Sequence, residues 1–369
     1  MTAPLPLVVL TTIDPVLRDT AVAGMLTDAP GVVVLRHDIT DGPGGGGLRR
    51  LVLDAHGVVE DQHLPLEHAC LSCAVREDAV PALRRLADDG RWGVVVLTLP
   101  VSAESLPVTR QLGSMMRRGG ELSALRVASI VNALDLGAVE HDILGDDLLA
   151  ERGLALTADD RRSVGEALVA QLGHADVVVV SGEATDHPID SDLVDHLRAP
   201  DGVRVEGTHL LDLSRLVQGR HDSAAGEQRL DPLRARAAHG PTDNGVWSIE
   251  LRSSRPLHPE RLVDQVERLG SGRLRSRGVF WVPTRPHSAC IWDGAGGQLA
   301  VGQADSWAGC EPFTRLVYTG TGGGAEIVRL RQAFEDILVS EAEMTEGLVR
   351  WLGREDVLSP WLGEQSEAC

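Results

Sequence analysis

Unbroken runs of valine constrain this chain more than any other feature. "PLVVL" (6–10), "GVVVLR" (31–36), "WGVVVLTL" (92–99), "RVASIV" (126–131) and "ADVVVVS" (175–181) place apolar, mostly β-branched residues at consecutive positions. A strand sends successive side chains to opposite faces, so such a run needs apolar cover on both sides, as a parallel strand between helical layers has. The segments between the runs supply those layers: "DTAVAGML", "VPALRRLADD" and "DDRRSVGEALVAQLGHA" (159–175) carry helical spacing. Strand–helix alternation of this kind predicts a doubly wound α/β domain over residues 1–214.

The pattern changes twice after that. Residues 215–244 are polar and rich in Ala and Arg, and predict a linker. Residues 245–369 then read as a smaller α+β domain, mostly antiparallel. A strand is followed by a helix started near Pro259, a three-strand meander with Gly turns, and the amphipathic "AEIVRLRQAFEDILVS". A length of 369 residues suits two cores better than one. The tract "DGPGGGGLRR" (41–50) runs into the alternating "LRRLVLDAHG", so it predicts a hairpin tip. A phosphate-binding loop would instead lead into a helix.

Charge and cysteine usage narrow the chemistry. With 35 basic and 54 acidic residues the formal charge is −19, which argues against reading nucleic acid through its phosphates and favours a protein partner or a cation. No apolar run is long enough for a bilayer, and "MTAPLPLVVLTTID" lacks a basic signal-peptide region, so a cytoplasmic location without membrane contact is expected. Five scattered cysteines build no disulfide framework. Cys70 and Cys73, at C-x-x-C spacing in "EHACLSCAVRED", are the close pair. They read as half a metal site, a redox pair or two small buried residues. His37, His56, His63 and His68 crowd the same region. Cys290 and the tryptophans 281, 292 and 307 are expected in the core, Cys369 free, and His174 and Asp176 at a helix end. No Ser–His–Asp arrangement or carboxylate pair stands out in the sequence.

This order of elements resembles the CobW family of P-loop GTPases, which supply or manage metals. "SSRPLHPERL", "RLRSRGVFWVPTRPHSACIWDGAGGQLAV" and the following "SW" are similar to that family's C-terminal module. "ACLSCAVRED" resembles its G-C-x-C-C motif and R-x-D helix start, with Ala69 for the glycine and Ser72 for the middle cysteine. The resemblance implies a P-loop GTPase-like parallel-sheet domain followed by a CobW C-terminal domain.

The nucleotide motifs depart from the family. Where a P-loop reads G-x-x-x-x-G-K-S/T, this chain has "TTIDPVLRDT" (11–20), with no glycine, Pro15 lacking an N–H, Arg18 in the lysine's place, and Asp14 and Asp19 facing any phosphate. The magnesium motif has become Val131-Asn132-Ala133. The guanine-reading N-K-x-D has become Ser181-Gly182-Glu183-Ala184, and E-S/T-S/T-G has become Thr98-Leu99-Pro100-Val101. GTP is therefore not expected as a working cofactor, and enzymatic activity is not predicted.

Among CobW-like proteins, this combination is most similar to an actinobacterial branch that recruits a hibernation factor to ribosomes under zinc limitation. That resemblance implies a recruitment factor partnered by a ribosome-associated hibernation factor or another protein client. The alternative it leaves open is a GTP-dependent zinc metallochaperone. Either reading implies zinc at Cys70 and Cys73, with Glu67 and then His68 as further ligands.

Overall fold

The computed structural model describes residues 3–29, 31–42, 45–68, 70–304, 307, 309–351, 354 and 357–363. Ala69, Ser306, Cys369 and residues 43–44 of the glycine tract lie outside them. Two compact units emerge, residues 1–142 with 147–230 and residues 143–146 with 231–369.

The first unit is a mixed α/β fold on eight strands. In chain order its elements are β1 (Leu5–Thr11), α1 (Pro15–Asp28), β2 (Val32–Gly42), β3 (Gly45–Asp54) and β4 (Gly57–Pro65). Then come α2 (Leu71–Ala74), a π-helical turn (Val75–Ala79), α3 (Val80–Asp89), β5 (Val94–Thr98), α4 (Ser105–Met115) and β6 (Leu125–Asp135). After α5 (Val139–Leu144) follow α6 (Val164–His174), β7 (Val177–Ser181), α7 (Pro188–Leu197), β8 (Val203–Glu206), α8 (Leu213–Gln218) and α9 (Ser223–Leu230). The strand order is β4-β3-β2-β5-β1-β6-β7-β8. All neighbours are parallel except the β2–β3 and β3–β4 pairs.

The valine runs lie at its centre. Leu7, Val9, Val33, Leu35, Val95 and Leu97 pack towards one helical layer, Val8, Leu10, Val32, Val34, Val94 and Val96 towards the other. Each fully buried Val or Leu contributes about 1.5–3 kcal/mol, so a one-residue register slip would exchange both faces at once. Asp41 pairs with Gly46, and Gly42 with Gly45, across the β2–β3 hairpin.

Two expectations fail here. Helix α6 starts at Val164 rather than near residue 159. Ser163 accepts from the Glu166 amide while Glu166 bonds back to the Ser163 amide, a capping box that sets the start. Residues 215–230 of the expected linker are helical and belong to the first unit, which ends at Leu230. Ala224, Ala225 and Gly226 carry too little apolar surface to show as an amphipathic pattern. Their small size is what lets α9 lie close, since a Cβ on Gly226 would stand 3.0 Å from His174 Nε2. Arg229 then ties α9 to Asp176 at 2.9 Å and Asp201 at 2.7 Å.

The second unit is an antiparallel sheet with helices. Its strands are β9 (Val246–Ser253), β10 (Leu274–Phe280), β11 (Cys290–Ala295), β12 (Gln298–Gln303) and β13 (Thr314–Thr321), in the order β12-β11-β10-β13-β9. α10 (Pro259–Gly270) and α11 (Ala325–Ile337) bury Leu262, Leu269, Leu330 and Phe334 in the same core as Trp247, Phe280, Trp292 and Tyr318. Cys290, Trp281 and Trp307 are buried as expected. β13 sits between β9 and β10, a central strand that the meander reading had not included. No helix among the described residues is long and apolar enough to cross a membrane.

Candidate metal centre

The cysteine pair sits where the β3–β4 hairpin returns to the helical layer. Leu66 donates its amide to the Gly46 carbonyl at 3.0 Å, which anchors the chain just before Glu67 and His68, both exposed. Cys70 is the N-cap of α2, and its Sγ accepts the Cys73 amide at 3.3 Å. Cys73 is buried, with its Sγ 4.0 Å from His68 Nδ1. The hydrogen bond with Cys70, then burial, push the Cys73 thiol up.

Arg76 reaches over the opening. Its guanidinium lies 3.7 Å from Cys73 Sγ, 3.1 Å from the Glu67 carboxylate and 2.9 Å from Glu77. The Glu67 amide donates to Glu77 at 3.2 Å, and this bond with the Arg76 pair holds the Glu77 carboxyl below its usual range. The Cys73 thiol thus lies between the Cys70 turn and the His68 imidazole, while the acid expected as third ligand is turned onto Arg76. Among the described residues no three His, Cys, Asp or Glu side chains are already gathered around one point. The donor set still suits zinc, which takes Cys, His and carboxylate ligands in a tetrahedron. Closing that set needs Arg76 to release Glu67 and both thiols to lose their protons.

The other histidines are not brought to this opening. His37 Nε2 is 2.8 Å from Asp78, which also pairs with Arg50; all three side chains are buried. Arg50 bonds Gln62 at 2.5 Å and Glu60 at 3.3 Å. Burial alone would raise the Asp78 carboxyl, but the hydrogen bond and charge of His37 and the charge of Arg50 outweigh it and hold it low. Asp78 rides on the π-helical turn, whose wider bore keeps it facing β2 and β3 while Arg76 and Glu77 face out. The R-x-D start of "VRED" is thus a two-sided device, one residue at the thiols and one in the sheet. His56 and His63 are exposed on the hairpin.

The nucleotide end of the fold is occupied by its own side chains. Asp14 caps α1 and accepts from the amides of Val16 at 2.7 Å and Leu17 at 3.1 Å, donors that a phosphate would otherwise use. Arg18 is 3 % exposed and pairs with Asp38 at 2.6 Å, so it does not reach towards a ligand. Asn132 is buried, donating to Gln171 at 3.1 Å and to the Thr11 carbonyl at 3.3 Å. The adjoining cleft of about 410 Å3 is lined by Asp14, Asp135 and Asp142, and its one arginine, Arg152, is paired with Asp142. These residues do not fit a triphosphate.

One arrangement was not legible in the sequence. Ser105 Oγ lies 2.8 Å from His174 Nδ1, and His221 Nδ1 lies 2.8 Å from Asp176, with the two imidazoles edge to face at 5.4 Å. Ser105 and His174 are fully buried, and burial with the neighbouring His221 charge lowers the His174 pKa to about 3. A neutral imidazole without solvent access is a packing element here rather than a catalytic base.

Residues 246–338 match the cobalamin synthesis protein cobW C-terminal domain. A Mycobacterium tuberculosis protein named zinc chaperone Rv0106 is 29% identical over 311 residues, which is 80% of this chain and 73% of that protein. The zinc-regulated GTPase metalloprotein activator 1 of Dictyostelium discoideum is 22% identical over 259 residues, 66% of this chain and 54% of its own. The solved structure of the zinc-bound YjiA GTPase of E. coli aligns with 91% of this chain and 99% of that one, at 14% identity and a TM-score of 0.37. Residues 246–338 of the second unit thus match a CobW C-terminal domain, and the chain is similar to one protein named a zinc chaperone and to another named a zinc-regulated GTPase metalloprotein activator.

Proposed function

We propose that this chain is a zinc-handling protein of the CobW type that works without hydrolysing GTP. Zinc is its cargo, taken up by Cys70 and Cys73 with His68 and Glu67 and passed on through contact with a protein client. The zinc-chaperone name of its mycobacterial homologue supports the cargo. The observation that carries the second half is Asp14, whose carboxylate already occupies the α1 amides. With no glycine cradle and Arg18 committed to Asp38, neither the position nor the counter-charge for a triphosphate remains. Purified protein given GTP, magnesium and zinc is expected to release phosphate no faster than a protein-free control. Turnover clearly above that control would return the chain to the GTP-dependent chaperones.

The same closed nucleotide end favours a second reading, recruitment of a hibernation factor to the ribosome when zinc is scarce, because an adaptor needs no turnover. A chain at −19 would meet a basic protein rather than RNA phosphates. Recruitment predicts salt-sensitive co-sedimentation with ribosomes, stronger from zinc-starved cells and dependent on the hibernation factor. Equal sedimentation with and without that factor, or none at all, would remove this reading and leave the chaperone.

A further inference from the structure

We propose that the first unit has an anion site on the sheet end opposite the closed nucleotide end: the cleft at the starts of β1 and β6 takes a small polyphosphate through Arg117, Arg126 and Arg220. The cleft measures about 600 Å3 and gathers four separate segments, the residue before β1, the end of α4, the start of β6 and the α8–α9 loop. No carboxylate lines it among the described residues. That is unusual for a chain with 54 acidic and 35 basic side chains.

The guanidiniums differ in how they are held. Arg126 is half-buried, and it donates to the carbonyls of Gly219 at 2.6 Å and Val217 at 2.5 Å. Carbonyls orient the guanidinium without neutralising it. Arg117 and Arg220 are exposed, and neither forms an ion pair among the described residues. Of the nearby acids, Asp176 is shared by His221 and Arg229, while Asp222 accepts from the amides of Ala224 at 3.0 Å and Ala225 at 3.1 Å, which orient it without neutralising it. Ser123 and Ser223 add hydroxyls to the lining. Three arginines lining one opening match a ligand that carries several charges and presents oxygens in more than one direction. Phosphate chains do both, and the planar guanidinium suits their paired oxygens.

The test uses the full chain and inorganic tripolyphosphate, with binding measured by titration calorimetry at low salt. Saturable binding of one ligand per chain is expected. The double change Arg117→Glu plus Arg220→Glu is expected to weaken it by about tenfold or more, the loss of two charge-assisted contacts. Both side chains are exposed, so the melting temperature and circular dichroism should be unchanged. A control pair outside the cleft lining, Arg84→Glu plus Arg331→Glu, alters net charge equally and should leave binding intact. Absent or non-saturable binding by the unaltered chain overturns the proposal, as does equal weakening by both pairs.

Discussion

Asp78→Ala is expected to cost about 3 kcal/mol of folding stability, the lower end for breaking a buried ion pair by removing one partner. The change leaves the buried His37 imidazole facing a void and removes one anion from the Arg50 guanidinium. Arg50 keeps Glu60 and Gln62, which is why the upper end is not expected. Denaturant titration checks this as a shift in midpoint at constant slope. The Asp78 carboxyl is held low in the folded chain, so its stabilising contribution is present above its unfolded value near pH 4 and fades as pH falls through the folded value. The variant should lack that acid-side loss. A cost below about 1 kcal/mol would mean that the triad does not anchor the π-helical turn to the sheet.

The double change Cys70→Ser plus Cys73→Ser is expected to take zinc content from about one per chain to about none, because a serine hydroxyl is a poor zinc ligand at neutral pH. The variant should still fold. Serine is a good N-cap, so Ser at position 70 can take over the bond that Cys70 Sγ accepts from the Cys73 amide. Position 73 is buried, and a hydroxyl there costs about 1 kcal/mol. Metal analysis after gel filtration, read beside the melting curve, separates lost ligation from lost fold. Unaltered stoichiometry in a folded variant would move the zinc to other residues.

Much of this molecule was written locally. Consecutive valines require cover on both faces whatever the rest of the chain does, so the parallel strands could be placed to within a few residues. The missing glycines and lysine between residues 11 and 20 were equally plain, since a phosphate loop is a short contiguous motif. So was the cysteine pair, and so was the order of strand, helix and meander in the second unit. β13 and α9 were exceptions among the elements, and α9 shows why. Its docking rests on small residues and on Arg229 finding Asp176 and Asp201, neither of which leaves a periodic trace.

The side-chain partners were decided only by the tertiary structure. The sequence placed His37 among the candidate donors near the cysteines, but the fold gives it to Asp78, 41 positions away. It turns Glu67 onto Arg76 and leaves His68 as the imidazole beside Cys73. It also turns Asp14, which sequence reasoning saw as repelling phosphate, into the acceptor that fills the phosphate's place. Arg117, Arg126 and Arg220 share a cleft because α4, β6 and the α8–α9 loop converge there. Hydrophobic burial depends on periodicity, which a sequence displays directly. The pairing of charges depends on which distant segments the packed sheet brings within about 4 Å, and composition carries no record of that.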